Sequence, residues 1–178
     1  MSFVPAVEQW GSTPQERAAA YPCDALLARS AALFRAVDVR APVAVVFRWL
    51  CQLRCAPYSY DWIDNLGKRS PPALTPGLER LAVGQRAMRV FSVVDFALDD
   101  HITVAVRSAR AKRVLGDVVV SYRVVATDGG SRIVVKIAFR GSSNPVVRWL
   151  FAFGDLIMMR KQLLTLKALA ERSAPVRS

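Results

Sequence analysis

The chain has few of the residues from which metal and catalytic centres are assembled. One histidine, His101, stands among 178 residues, so no second imidazole exists for a zinc or iron site. Three cysteines, Cys23, Cys51 and Cys55, are an odd number without paired metal spacing, and no disulfide framework is implied. Cys51 and Cys55 lie four apart on an expected helix and share a face, a spacing open to a soft metal. The other ligands of a zinc site are missing, which favours small buried hydrophobes. No glycine-rich phosphate loop, Ser/His/Asp order or metal constellation appears, so the expectation is no cofactor and no metal. Acidic residues are also scarce: 14 Asp+Glu stand against 25 Lys+Arg, for a net charge of +11. Such an excess invites a nucleic-acid reading, yet the arginines are scattered from Arg17 to Arg177. The only dense cluster is Arg107, Arg110, Lys112 and Arg113, and no helix-turn-helix, RNA-recognition or zinc-finger pattern accompanies it. Solvated surface is the favoured reading, with no specific nucleic-acid binding and a weak contact with anionic membrane as the minor electrostatic option. Long apolar runs are absent as well. Only six uninterrupted residues lie between Arg148 and Asp155, against the roughly 20 that a spanning helix requires. The opening MSFVPAVEQWGSTP lacks a basic stretch followed by an apolar one, so the expectation is no signal peptide and a soluble cytoplasmic protein.

What is present is enough apolar chain for one core: 53% hydrophobic against 22% charged. The longest pattern is the segment from Asn144 to Glu171. Trp149, Ala152, Leu156, Met159, Leu163, Leu166 and Ala170 recur at alternating steps of three and four, an apolar stripe on a helix. Gly154, Lys161, Thr165 and Arg172 fall opposite. Asn144 is a favoured cap and Pro145 suits the first helical position. A rod of roughly 40 Å results, at 1.5 Å per residue, and its stripe must be covered.

Residues 1–32 read as an extension laid on a domain spanning 33–178, with a helix start at Thr13-Pro14-Gln15-Glu16 and Trp10 as its anchor. Leu33 to Arg40 alternates as an edge strand, with its inner face open between Leu33/Arg35/Val37/Val39 and Phe34/Ala36/Asp38/Arg40. Pro42 opens a helix carrying Val46, Phe47, Leu50 and Leu53. A second short helix fits Tyr58 to Leu66, with Gly67 as its left-handed cap. From Gln85 the period becomes two: Arg86, Met88, Val90, Ser92, Val94 and Phe96 share a face, Asp99-Asp100 turns, and Ile102, Val104 and Val106 point inward. Val118 to Ala126 and Ile133 to Phe139 form a hairpin about Asp128-Gly129-Gly130.

Strand, two helices, antiparallel strands and one long terminal helix make an α+β architecture in which the helix covers a curved sheet. From Leu33 to Glu171 this arrangement resembles the START/Bet v 1-like superfamily, which includes polyketide cyclases and lipid-transfer proteins. The segment Tyr58-Ser59-Tyr60-Asp61-Trp62-Ile63-Asp64-Asn65-Leu66-Gly67 is similar to one in its bacterial members, as are Val83-Gly84-Gln85, Trp10-Gly11 and Pro22-Cys23-Asp24. The resemblance implies a helix-grip fold and a cavity for a small apolar ligand. Binders, transporters and enzymes share the fold, so it does not choose among them.

Alternation and helical spacing put Met88, Val90, Val104, Tyr122, Ile137 and Phe139 of the sheet and Trp149, Phe153 and Leu156 of the helix around that cavity. Tyr60 and Trp62 stand at its mouth. Tyr58, Tyr60 and Trp62 serve equally as a ligand-facing patch or as packing that seats their helix. Asp61, Asp64 and His101 are the weak catalytic candidates. Paired carboxylates near a helix start more often cap it, and a turn histidine is more often exposed. Arg89 and Asp95 pair on the surface, or become pocket residues if the strand face is reversed. The leading expectation is a binder or transporter of a hydrophobic or aromatic ligand. The alternatives are a cyclase or dehydratase, and a structural or partner-binding protein with a filled core.

Overall fold

The computed structural model describes residues 7–60, 62, 67–140 and 144–174. Helices α1 (Pro14–Ala18) and α2 (Pro22–Leu26) lead into strand β1 (Ala31–Val39), helix α3 (Val43–Cys51) and a single 3-10 turn over Gln52–Arg54. Then follow β2 (Arg86–Ala87), β3 (Phe91–Ala97), β4 (His101–Val106), helix α4 (Ala109–Leu115), β5 (Asp117–Thr127), β6 (Gly130–Arg140) and helix α5 (Pro145–Ser173). The six strands form one antiparallel sheet in the order β1-β6-β5-β4-β3-β2.

Local chemistry accounts for most boundaries. Asn144 Oδ1 accepts from the backbone N–H of Val146 at 2.9 Å, and Pro145 opens α5, whose 29 residues make a rod of about 43 Å. Thr13 and Glu16 form a reciprocal capping box on α1. The β5–β6 turn is Asp128-Gly129, with Thr127 opposite Gly130. Gly130 takes φ 145°, and a Cβ there would lie 2.4 Å from the Val39 carbonyl oxygen. Only glycine fits that close approach.

Both faces of the sheet are covered. On the inner face Leu33, Val104, Val120, Tyr122, Ile133, Val135, Ile137 and Phe139 pack against α3 and α5. On the outer face Tyr21, Cys23 and Leu27 of the N-terminal segment cover Phe34, Ala36, Val119, Val134 and Ala138. Residues 8–10 run along the free edge of β1, where the N–H groups of Phe34 and Ala36 donate to the Glu8 and Trp10 carbonyls at 2.7 and 3.0 Å. That segment shields an edge otherwise open to pairing. Arg132 holds it by donating to Gly11 O at 2.7 Å and to the Glu16 carboxylate, while also pairing Asp38 at 2.8 Å.

Two sequence expectations are corrected. The strand starting at Gln85 is a hairpin instead: β2 ends at Ala87, Met88 and Arg89 take φ 42° and 64°, and β3 returns with Ala87 opposite Phe91. No glycine or asparagine marks that turn, so tertiary contacts hold it. The Met88 N–H donates to Leu53 O at 2.8 Å and the Arg107 N–H to Val90 O at 2.9 Å. A register shift between Val93 and Asp95 moves the inward positions of β3 to Phe91, Val93 and Phe96. The second correction concerns α5. It buries Ala152, Met159, Gln162, Leu163, Leu166, Leu169 and Ala170, while Trp149 is half-exposed. The expected stripe has a period of 3.5, and a straight helix drifts from it by about 20° per heptad. The seam therefore holds around Leu163–Ala170 and slips in the first turns.

A candidate ligand cavity between sheet and helix

A cavity of about 570 Å³ separates the inner face of β5 and β6 from the first half of α5. Val118, Val120 and Ile137 form its sheet wall, Met88, Val90 and Phe91 its hairpin wall, and Phe151, Met158 and Met159 its helix wall. Exposed Arg89, Val90 and Leu150 mark its open side. Gly154 lines the cavity from the same exposed side, and a Cβ built on it meets nothing within 4 Å, so a larger residue has room there.

The polar groups are few and tightly arranged. Arg35, on the inner face of β1, has no exposed surface; its Nη2 donates to Asp155 Oδ2 at 2.8 Å and to Ala152 O at 3.3 Å, and its Nη1 to Phe34 O at 2.9 Å. Arg35 Nε is buried and has no partner among the described residues. Asp155 lines the cavity in front of that guanidinium. Burial pushes its carboxyl up to about 6, against the opposing pull of Arg35, and burial likewise lowers the pKa of Arg35. Nearby, Tyr122 donates its O–H to Gln162 Oε1 at 2.8 Å, and Gln162 Nε2 donates to Pro57 O at 2.6 Å. Burial holds the Tyr122 phenol far above its ordinary value. Ser59 Oγ donates to Met158 O at 3.0 Å.

Of the residues placed around the cavity by sequence, Met88, Val90, Tyr122 and Ile137 line it. Val104 is fully buried in the core beside it, and Phe139 packs on Phe151 with ring centroids 4.8 Å apart. Trp149 and Phe153 stack on each other at 5.3 Å on the outward side of α5. Phe153 and Leu156 join Tyr60 along a separate surface groove, and Trp62 is 74% exposed. The slip of the helix seam accounts for the placement of Trp149 and Leu156. Asp61 and Asp64 lie outside the described residues. His101 begins β4 rather than sitting exposed in a turn. Its ring nitrogens meet Asp100 Oδ2 at 2.8 Å and Asp95 Oδ2 at 3.0 Å, so Asp95 pairs with His101 and not with Arg89. Ile102 faces the core, which turns His101 to the outer side, away from the cavity. Cys51 is buried, with its thiol pushed up to about 12, and Cys55 is exposed, so the two do not form a paired thiolate site.

Sequence reasoning missed Arg35, Asp155, Gln162, Ser59 and Gly154 as site residues. A signal existed for two of them. Asp155 is the only acidic residue between Asn144 and Ala170, and Arg35 is the one charge in the alternating set Leu33, Arg35, Val37, Val39. Opposite charges placed singly in two apolar stripes are candidates for a buried pair.

No family model matches the chain, and no curated protein sequence matches it. Solved structures do. A crystal structure of a protein from Mesorhizobium loti aligns with a TM-score of 0.50 at 15% identity, covering 82% of this chain and 100% of that one. A protein from Chromobacterium violaceum aligns at 0.48 and 14% identity, over 79% of this chain and 96% of that one. The di-domain ARO/CYC StfQ from the steffimycin biosynthetic pathway aligns at 0.44 and 14% identity, over 79% of this chain and 50% of that one. No helix among the described residues is long and apolar enough to cross a membrane. With its six-stranded antiparallel sheet closed over a long terminal helix and matched along the whole Mesorhizobium loti chain, this protein has an α+β helix-grip fold.

Proposed function

We propose that the protein binds a small hydrophobic or aromatic molecule between the sheet and α5. The observation that carries this is the cavity itself: about 570 Å³, walled mainly by aliphatic, methionine and phenylalanine side chains, with a few fixed polar groups. Ligand sites commonly occupy about 300–1,000 Å³ with that composition. An opening of this size also weighs against the filled-core alternative, because a packed interior leaves few voids larger than a water molecule.

Gly154→Phe tests the reading without removing a contact. The new side chain enters open space, and replacing a mid-helix glycine spares backbone entropy, so folding should be retained. Wild-type protein should bind the apolar fluorophore diphenylhexatriene, and the variant should lose most of that binding at unchanged thermal stability. Native mass spectrometry of freshly purified protein should show a co-purified small molecule that the variant lacks. Equal probe binding by both proteins would refute the assignment to this cavity.

The enzyme reading, a cyclase or dehydratase, has one observation in its favour. A carboxyl at about 6 inside an apolar cavity is poised to move protons, which would make Asp155, rather than Asp61 or His101, the group to vary. Turnover of an aromatic ketone that disappears with Asp155 would select it.

A further inference from the structure

Hydrogen-bonding capacity in the cavity is one-sided. Apart from Arg89, the side-chain donors of its wall are already committed within the protein: the Tyr122 hydroxyl to Gln162 Oε1, the Gln162 amide to Pro57 O and to Met88 Sδ at 3.3 Å, and the Ser59 hydroxyl to Met158 O. Arg35 lies behind Asp155, has no exposed surface and is not part of the wall. Arg89 is exposed at the mouth. Acceptors are the reverse. A carboxylate has roughly four lone-pair directions, yet among the described residues Asp155 accepts from Arg35 alone, through Oδ2, and its side chain retains 15% exposure where it meets the cavity.

We infer that the cavity selects a neutral molecule carrying a hydrogen-bond donor, a hydroxyl or N–H, on an aromatic or alicyclic body, with that donor directed at the Asp155 carboxylate. This rests on the ligand-binding reading above and specifies its ligand class. Charge argues for a neutral group on both sides. Apart from Arg89 at the mouth, an anionic ligand finds no uncommitted side-chain donor among the described lining residues and meets a carboxylate, while a cation approaches a carboxylate whose charge is offset by a guanidinium 2.8 Å away. The same arrangement disfavours chemistry through an enolate or other oxyanion in this cavity, because such an intermediate needs donors aimed at the developing charge.

The test uses three ligands that share one ring system: naphthol, its methyl ether, which cannot donate, and naphthoate, which is anionic. Calorimetric titration of the wild-type protein near neutral pH should rank naphthol at least about tenfold tighter than the methyl ether, with naphthoate weakest, as expected of a hydrogen bond to a charged acceptor. In the double variant Arg35→Met/Asp155→Leu, which removes both charges together and so leaves no ion unpaired, the naphthol-to-ether ratio should fall to about one. Equal affinities in the wild type, or naphthoate binding most tightly, would overturn the inference while leaving the cavity reading intact if diphenylhexatriene still binds. If neither the probe nor any of the three ligands binds, both readings fail together.

Discussion

Removing Asp155 while Arg35 remains should destabilise this fold far more than the opposite change. Arg35 has no exposed surface, and with Asp155→Leu its guanidinium keeps only the Phe34 and Ala152 carbonyls. Guanidinium cannot escape by losing its proton. Breaking a buried pair in this way costs about 3–5 kcal/mol, a large share of the roughly 5–15 kcal/mol that holds a domain folded. The reverse change, Arg35→Met, leaves a carboxyl that burial already pushes up to about 6. Without the guanidinium it takes up a proton near neutral pH, so the loss should be nearer about 1–3 kcal/mol, that of an unsatisfied polar group. The double variant Arg35→Met/Asp155→Leu should return to within about 1 kcal/mol of wild type, because two ions leave the interior together along with an Arg35 Nε that has no partner among the described residues. The pH dependence has a definite sign. Asp155 titrates at about 6 folded, against an ordinary value of 3.8. The stability linked to its protonation is therefore fully present below about 4 and is lost as pH rises through about 6, by at most about 3 kcal/mol. Urea unfolding followed by far-UV circular dichroism, for the wild type and three variants near neutral pH and near pH 5, measures each quantity. The double variant should gain on the wild type as pH rises from about 5 to neutral. If Asp155→Leu lies within about 1 kcal/mol of wild type, or if Arg35→Met is the costlier single change, the account of this pair is wrong.

Two further outcomes follow from the packing. Phe139→Ala should cost about 3–5 kcal/mol in chemical denaturation, because Phe139 is buried against Phe151, whereas Phe153→Ala, on the half-exposed outward side of α5, should cost no more than about 1 kcal/mol; equal losses would place α5 in a different rotation. Although burial pushes the Glu16 carboxyl up, Arg132 and Thr13 hold it below its ordinary value of 4.5. Its contribution is thus present above about 4.5 and lost as pH falls below that, so Glu16→Gln should lower hydrogen-exchange protection across residues 8–28 near neutral pH and abolish the acid dependence of that protection. Unchanged protection would mean that the outer-face contacts of Tyr21, Cys23 and Leu27 hold the segment without the ion pair.

What could be read from sequence was whatever short-range chemistry dictates. Asn144-Pro145 starts a helix, Thr13 and Glu16 cap one, Asp128-Gly129 closes a hairpin, and strict alternation assigns the inner faces of β4, β5 and β6, because each depends on neighbours a few residues apart. Element order then limits the layers, since an antiparallel sheet with an apolar face needs a cover as long as α5. Rotation of that cover was beyond periodicity. Between Val146 and Met159 α5 is apolar nearly all round, so the facing of Trp149, Phe153, Gly154 and Asp155 is chosen by what the sheet offers opposite them. The Met88-Arg89 turn was equally hidden, because hydrogen bonds with Leu53 and Arg107, rather than a glycine, hold its left-handed backbone. The cavity's polar end joins Arg35 to Asp155 across 120 positions and Tyr122 to Gln162 across 40. Only folding brings such groups within hydrogen-bond distance, and the loss of water around them there gives Asp155 a pKa that its place in the sequence does not.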